Sequence, residues 1–93
     1  MNITHIDSGN KGIFQAKDND IIAGEMTYSW AGTDKIIIDH TEVNPDFSGQ
    51  GIGKLILMEL VKFAREKQIK ILPLCPFAKS VFAKTEEIRD VLL

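Results

Sequence analysis

The run Ser48-Gly49-Gln50-Gly51-Ile52-Gly53-Lys54 joins a β-rich first half to a strongly amphipathic helix, and few folds place three alternating glycines there. With no Cβ at Gly49, Gly51 and Gly53, the backbone can come close to a ligand, and the unpaired amides of the first helical turn point at whatever lies there. The helix dipole and those donors favour negative charge, so a diphosphate is the natural occupant. A lone glycine pair would read as a turn that merely caps a helix. Three glycines in alternation favour a ligand.

Two common phosphate cradles fail at named positions. A P-loop would need Gly at Ser48 and Ser or Thr at Leu55. A dinucleotide fingerprint would need its third glycine at Lys54 and a long parallel sheet after it, whereas only about forty residues follow. The whole chain is 93 residues, which makes residues 1–93 one domain with a core just large enough to fold alone. A formal net charge of −2 argues against nucleic acid as the main partner. A single cysteine forms no internal disulfide, the start Met1-Asn2-Ile3-Thr4-His5 has neither a basic nor a long apolar leader segment, and a reducing cytoplasm is the expected home. No apolar stretch approaches the ~20 residues that span a bilayer, so no membrane partner is expected.

Along the chain, Ile3 to Asp7 and Gly12 to Ala16 read as strands, and Lys17-Asp18-Asn19-Asp20 is a turn leading to a longer one. Alternation in Ile21 to Trp30 puts Ile22, Gly24, Met26, Tyr28 and Trp30 on one face and Ala23, Glu25, Thr27 and Ser29 on the other. Lys35 to Val43 begins with three isoleucines, as expected for a central strand covered on both faces, and then turns polar at Asp39-His40-Thr41-Glu42. Such a change inside one strand suggests that it leaves the core and enters a cleft. A helix is expected from Ile52 to Lys67, with Ile52, Ile56, Leu57, Leu60, Val61, Phe63 and Ala64 facing a sheet. Ile69 to Leu74 is a buried strand, parallel to the previous one because a helix separates them, and Pro76 stops it. The tail is helical in its spacing, with Thr85 as an N-cap before Glu86-Glu87.

Ser48 through Gly53 resembles the [Gln/Arg]-x-x-Gly-x-[Gly/Ala] pyrophosphate loop of the GCN5-related N-acetyltransferases, with Ser48 in place of Gln or Arg. The order β-β-β-β-α-β-α is also similar to the carboxyl-terminal core of that fold, so the resemblance covers nearly the whole chain. It implies an α/β (α+β) domain with a mixed, mostly antiparallel five-stranded sheet and a parallel, splayed pair around the glycine-loop helix. Family members usually carry one or two helices between their first strands, where acceptor specificity is built. Ser8-Gly9-Asn10-Lys11 leaves no room for them, so the chain resembles the very small, single-domain subgroup, in which a site with a histidine and a cysteine is expected.

The resemblance implies a function: acetyl-CoA as co-substrate, and transfer of its acetyl group to an unidentified amine. It places the pantetheine arm against the backbone of Glu42, Val43 and Asn44, and the pyrophosphate on Ser48, Gly49, Gln50, Gly51, Ile52, Gly53 and Lys54, with Gln50 used through its backbone. It puts the thioester near His40 and Cys75 as catalytic residues. Cys75, before a proline at a strand end, is expected to reach solvent near a helix N-terminus, with His40 as base or as the cation beside a thiolate. On its own, an unpaired cysteine reads as a small buried hydrophobe and a strand histidine as a locally bonded one. Asp39 and Glu42 are alternative bases. The family's usual general acid is a tyrosine, and Phe82 holds that place here; Tyr28 reads as core. A non-enzymatic acyl-CoA-binding module is the rival reading. His5, His40 and Cys75 are too scattered to suggest a metal site.

Overall fold

Alternating apolar residues in the first half and tight turns between them produce a meander of four antiparallel strands, described with the rest of residues 1–93 by a computed structural model. The strands are β1 (Asn2–Asp7), β2 (Lys11–Asp18), β3 (Ile21–Trp30) and β4 (Lys35–Val43). A 3₁₀ turn at Pro45–Phe47 leads to α1 (Ile52–Lys67), then β5 (Lys70–Pro73), α2 (Pro76–Lys84) and a final 3₁₀ segment, Glu86–Val91. The sheet order is β1-β2-β3-β4-β5, and only the last pair, β4 with β5, is parallel. This is the mixed fold expected from the sequence, with β3, β4 and α1 at the expected boundaries.

The buried stripe of α1, Ile52, Ile56, Leu57, Leu60, Val61 and Ala64, packs on Met26, Tyr28, Ile36 and Ile38 of the sheet in one hydrophobic cluster. Burying each such large side chain contributes roughly 1.5–3 kcal/mol, which makes this layer the main source of stability. α1 ends where Gln68 turns left-handed at φ 56° and its amide returns to Ala64 and Arg65. Arg65 then clasps Asp90 at 2.8 Å and the Glu87 carbonyl at 2.7 Å, tying the chain end to the helix.

Two bulges correct the expected side-chain alternation. At the start of β3, Ala16 pairs with Gly24 but Lys17 with Ile22, so Ala23 is an extra residue; it is buried and Ile22 is turned outward. In β4, Tyr28 pairs with Ile38 but Thr27 with His40, leaving Asp39 as the extra residue. Before this bulge Ile36 and Ile38 face α1. After it Thr41, opposite Met26, takes that face, and His40, opposite Thr27, takes the other.

The helices pack on one face of the sheet only. α1 meets β2, β3 and β4, α2 meets β4, β5 and α1, and the opposite face presents partly exposed residues such as Ile13, Thr27 and Ile37. The central strand is therefore covered on one face, not two. Smaller differences lie at element ends: β1 and β2 are longer than expected, β5 stops at Pro73, and Thr85 holds the N-cap position without a side-chain hydrogen bond.

Candidate functional site

β4 and β5 part company just where the isoleucine run ends. Their pairing stops at Ile38 with Pro73, and the amides of both Leu74 and Cys75 bond to the Ile38 carbonyl at 3.2 and 3.3 Å. Beyond that point β5 turns into α2, so the edge of Thr41 to Val43 that faces away from β3 has no strand partner. An extended ligand can pair with such an edge as a false strand.

The glycine run lies at the end of this gap. Gly49 and Gly51 have φ of 82° and 72°, left-handed values that glycine adopts without penalty. A Cβ at either would meet no atom within 4 Å, so their outer side is open. Gly51 is the N-cap of α1 and offers no side-chain acceptor, which leaves the amides of Ile52, Gly53 and Lys54 without helical partners. Gly53 has a different task. A Cβ there would come within 2.7 Å of the Phe77 ring, so this glycine lets α2 pack on α1.

A cleft of about 450 Å³ runs between this loop and α2; Val43, Ser48, Gly49, Gly51 and Lys54 line it on one side and Lys84 on the other. Ile52 and Gly53 also reach it. In the sequence Lys84 is one more surface lysine, and only the docking of α2 brings it to the cleft. Gln50 does not line the cleft, and its amide bonds to Phe47 at 3.3 Å. Glu42 and Asn44 line a separate hollow of about 290 Å³ beside Gly24. Asn44 is also spent on the turn: its amide bonds to Ala23 and its side chain accepts from Asp46.

Cys75 lies at the inner end of the gap as the N-cap of α2. Its Sγ accepts from the Ala78 amide at 3.4 Å and lies 3.2 Å from Thr41 Oγ1. The residue is only 6% exposed, which corrects the expectation of a solvent-reaching thiol: the cap bond draws the sulfur back over the helix. His40 does not reach it. The bulge at Asp39 turns His40 to the uncovered face, where its ring is 3.8 Å from Glu42 and its side chain 65% exposed. Thr41 is the partner that sequence reasoning missed, because only the bulge reveals which neighbour faces the thiol. Phe82 is buried, and Tyr28 is core as expected.

The GCN5-related N-acetyl-transferase family matches residues 13–91 of the chain. A GCN5-like protein of Staphylococcus aureus, solved by NMR, is 36% identical with a TM-score of 0.74 over 99% of this chain and 87% of its own. The Escherichia coli ribosomal-protein-S18-alanine N-acetyltransferase is 17% identical with a TM-score of 0.71, matching 84% of this chain but 53% of its own. An aminoglycoside acetyltransferase from an uncultured soil sample is 20% identical with a TM-score of 0.70, over 86% of this chain and 59% of its own. These two share the fold with a chain spanning little more than half their length. No curated protein matches the sequence.

Proposed function

The chain belongs to the GCN5-related N-acetyltransferase family, and we propose that it binds acetyl-CoA in the cleft between α1 and α2 and passes the acetyl group to an amine. The observation that carries this reading is the pair of left-handed glycines, Gly49 and Gly51, with their open sides beneath unpaired helix amides. A pyrophosphate would take those amides, and Lys54 and Lys84 would flank it with positive charge. The pantetheine arm would lie along Thr41 to Val43, which brings a thioester to Cys75.

In this reading the amine nitrogen bonds to the acetyl carbon as the carbon–sulfur bond breaks. The amine gives up one proton and the departing thiolate gains one. Cys75, at the end of the arm, supplies the proton to sulfur, and Thr41 holds its Sγ in place. His40, with Glu42 beside it, takes the amine proton from the uncovered sheet face, where the acceptor has room to approach. Alternatively Cys75 accepts the acetyl group first and passes it on. An unpaired thiol in this role suits a reducing cytoplasm.

A second reading, an acyl-CoA-binding module without fast transfer, is favoured by Phe82, which brings no hydroxyl to the site. Calorimetry with acetyl-CoA, ATP with magnesium, and NAD tests binding; a broad amine screen with thiol release tests transfer. Binding of acetyl-CoA alone, with release that depends on Cys75, supports the transferase. Binding without release supports the module, and equal binding of ATP would sink both.

A further inference from the structure

The largest concavity of the molecule is at the other end of the sheet. It is an open hollow of about 740 Å³ between the end of β1, the turn after β3 and the last turns of α1, and His5, Asp7, Trp30, Phe63 and Lys67 line it. Trp30 pairs with Ile36 and Gly24 with Val43, so the hollow is about 20 Å along the sheet from the acyl cleft. Nothing in the proposed transfer uses it.

Three of the residues that line it, His5, Trp30 and Phe63, carry aromatic rings. The Phe63 ring stands nearly perpendicular to His5 at 4.6 Å and to Trp30 at 6.3 Å between centroids. At its edge Asp7 is fixed by three neutral donors. Oδ2 accepts from Tyr28 Oη at 2.6 Å and from Trp30 Nε1 at 2.7 Å, and Oδ1 accepts from the Gly9 amide at 2.8 Å. Tyr28 has one hydroxyl proton, which goes to Asp7, so His5 Nε2 donates to Tyr28 at 2.6 Å. The three donors orient the carboxylate, and no lysine or arginine pairs with it, since the ion pairs of the protein are Lys35–Asp34, His40–Glu42 and Arg65–Asp90. Lys67, lining the same hollow, is likewise free of any carboxylate.

We propose that this hollow binds a small zwitterion, with a methylated ammonium group against the aromatic rings and Asp7 and an anionic group toward Lys67. One fixed negative and one positive charge, not paired with each other, complement a ligand carrying the opposite pair. Aromatic rings favour a cation that has shed its water. The carboxylate has about four lone-pair positions, and three are occupied by its donors, so it can satisfy few N–H groups of a primary ammonium. A quaternary nitrogen asks for none. This inference stands apart from the acyl-transfer reading, which could fail without affecting it.

Trp30 is the only tryptophan, so its fluorescence and its indole N–H signal report on the site directly. The probe is trimethylglycine, with glycine and choline as comparisons at matched ionic strength. A saturable change with trimethylglycine is expected, about tenfold weaker with either glycine or choline, and about tenfold weaker in Asp7→Asn. Lys67→Gln, at an exposed position where folding is not at stake, should weaken trimethylglycine binding and leave choline unchanged. Absence of saturable change in the wild-type protein would overturn the proposal. So would choline binding as tightly as trimethylglycine, or a Lys67→Gln protein that binds trimethylglycine as well as the wild type.

Discussion

Thr41 Oγ1 lies 3.2 Å from Cys75 Sγ across the gap where β4 and β5 separate, while His40, one residue earlier, faces the opposite side of the sheet. The thiol is therefore served by a hydroxyl and a helix amide rather than by an imidazole. If the hydroxyl donates to the sulfur as it attacks, its loss removes a bond of roughly 1.5 kcal/mol, or up to about tenfold in rate. Alkylation of Cys75 by iodoacetamide near neutral pH should then slow several-fold in Thr41→Val and recover in Thr41→Ser. His40→Ala should leave that rate within about twofold. A large effect of His40→Ala with none from Thr41→Val would reverse the assignment of partners.

The two kinds of glycine in the loop should separate in experiment. At Gly51, φ 72° puts any side chain in the left-handed region, so Gly51→Val should cost about 1–2 kcal/mol of stability and remove acetyl-CoA binding, as read by melting and by calorimetry. At Gly53, alanine should drive a methyl group against the end of the Phe77 ring, a clash of roughly 1–3 kcal/mol that the better helix propensity of alanine offsets by up to about 1 kcal/mol. Phe77→Leu in the same chain should recover part of that loss. If Gly53→Ala is as stable as the wild type, the packing role is wrong.

The contrast between these glycines shows what the sequence could and could not convey. The pattern of apolar residues was enough for β3, β4, α1 and the parallel β5, because a period of two or of 3.6 is written into the chain itself. Bulges are not. Ala23 and Asp39 are each one residue too many for a partner strand, and that excess exists only once the register between strands is set. One extra residue at Asp39 decides that Thr41, not His40, meets Cys75. The burial of Cys75 and the arrival of Lys84 at the cleft depend in the same way on how α2 docks.

Lys84 gives a direct test of that docking. It lines the cleft opposite the glycine loop, and Lys79 on the same helix does not. Lys84→Ala should weaken acetyl-CoA binding by about fivefold to tenfold at low salt, with less effect as screening increases. Lys79→Ala should change it little. Equal effects from both would mean a diffuse charge rather than a placed contact.

The pH dependence of stability should be governed by the cluster at the far end of the sheet. Burial holds the His5 imidazole below its ordinary value of 6.5, outweighing the pull of the Asp7 charge. Hydrogen bonds from Tyr28, then Trp30, then the Gly9 amide hold the Asp7 carboxyl below its ordinary value of 3.8. Both groups bind protons more readily when the chain is unfolded, so both contributions are present at neutral pH and lost on acidification. His5 acts first, as pH falls below 6.5, and Asp7 follows below 3.8. Tyr28, raised chiefly by burial and next by its bond to Asp7, has the opposite sign: its contribution is lost as pH rises above 10.0. Melting temperature should therefore decline in two steps toward acid and again in strong alkali. His5→Gln should remove the first acid step while leaving the second, and Asp7→Asn should shrink the second, to which Asp90, held low by its bond to Arg65, also contributes. If the wild-type profile is flat between pH 7 and 5 and unchanged in His5→Gln, the imidazole is not packed against Phe14 and Phe63 as the ring contacts place it.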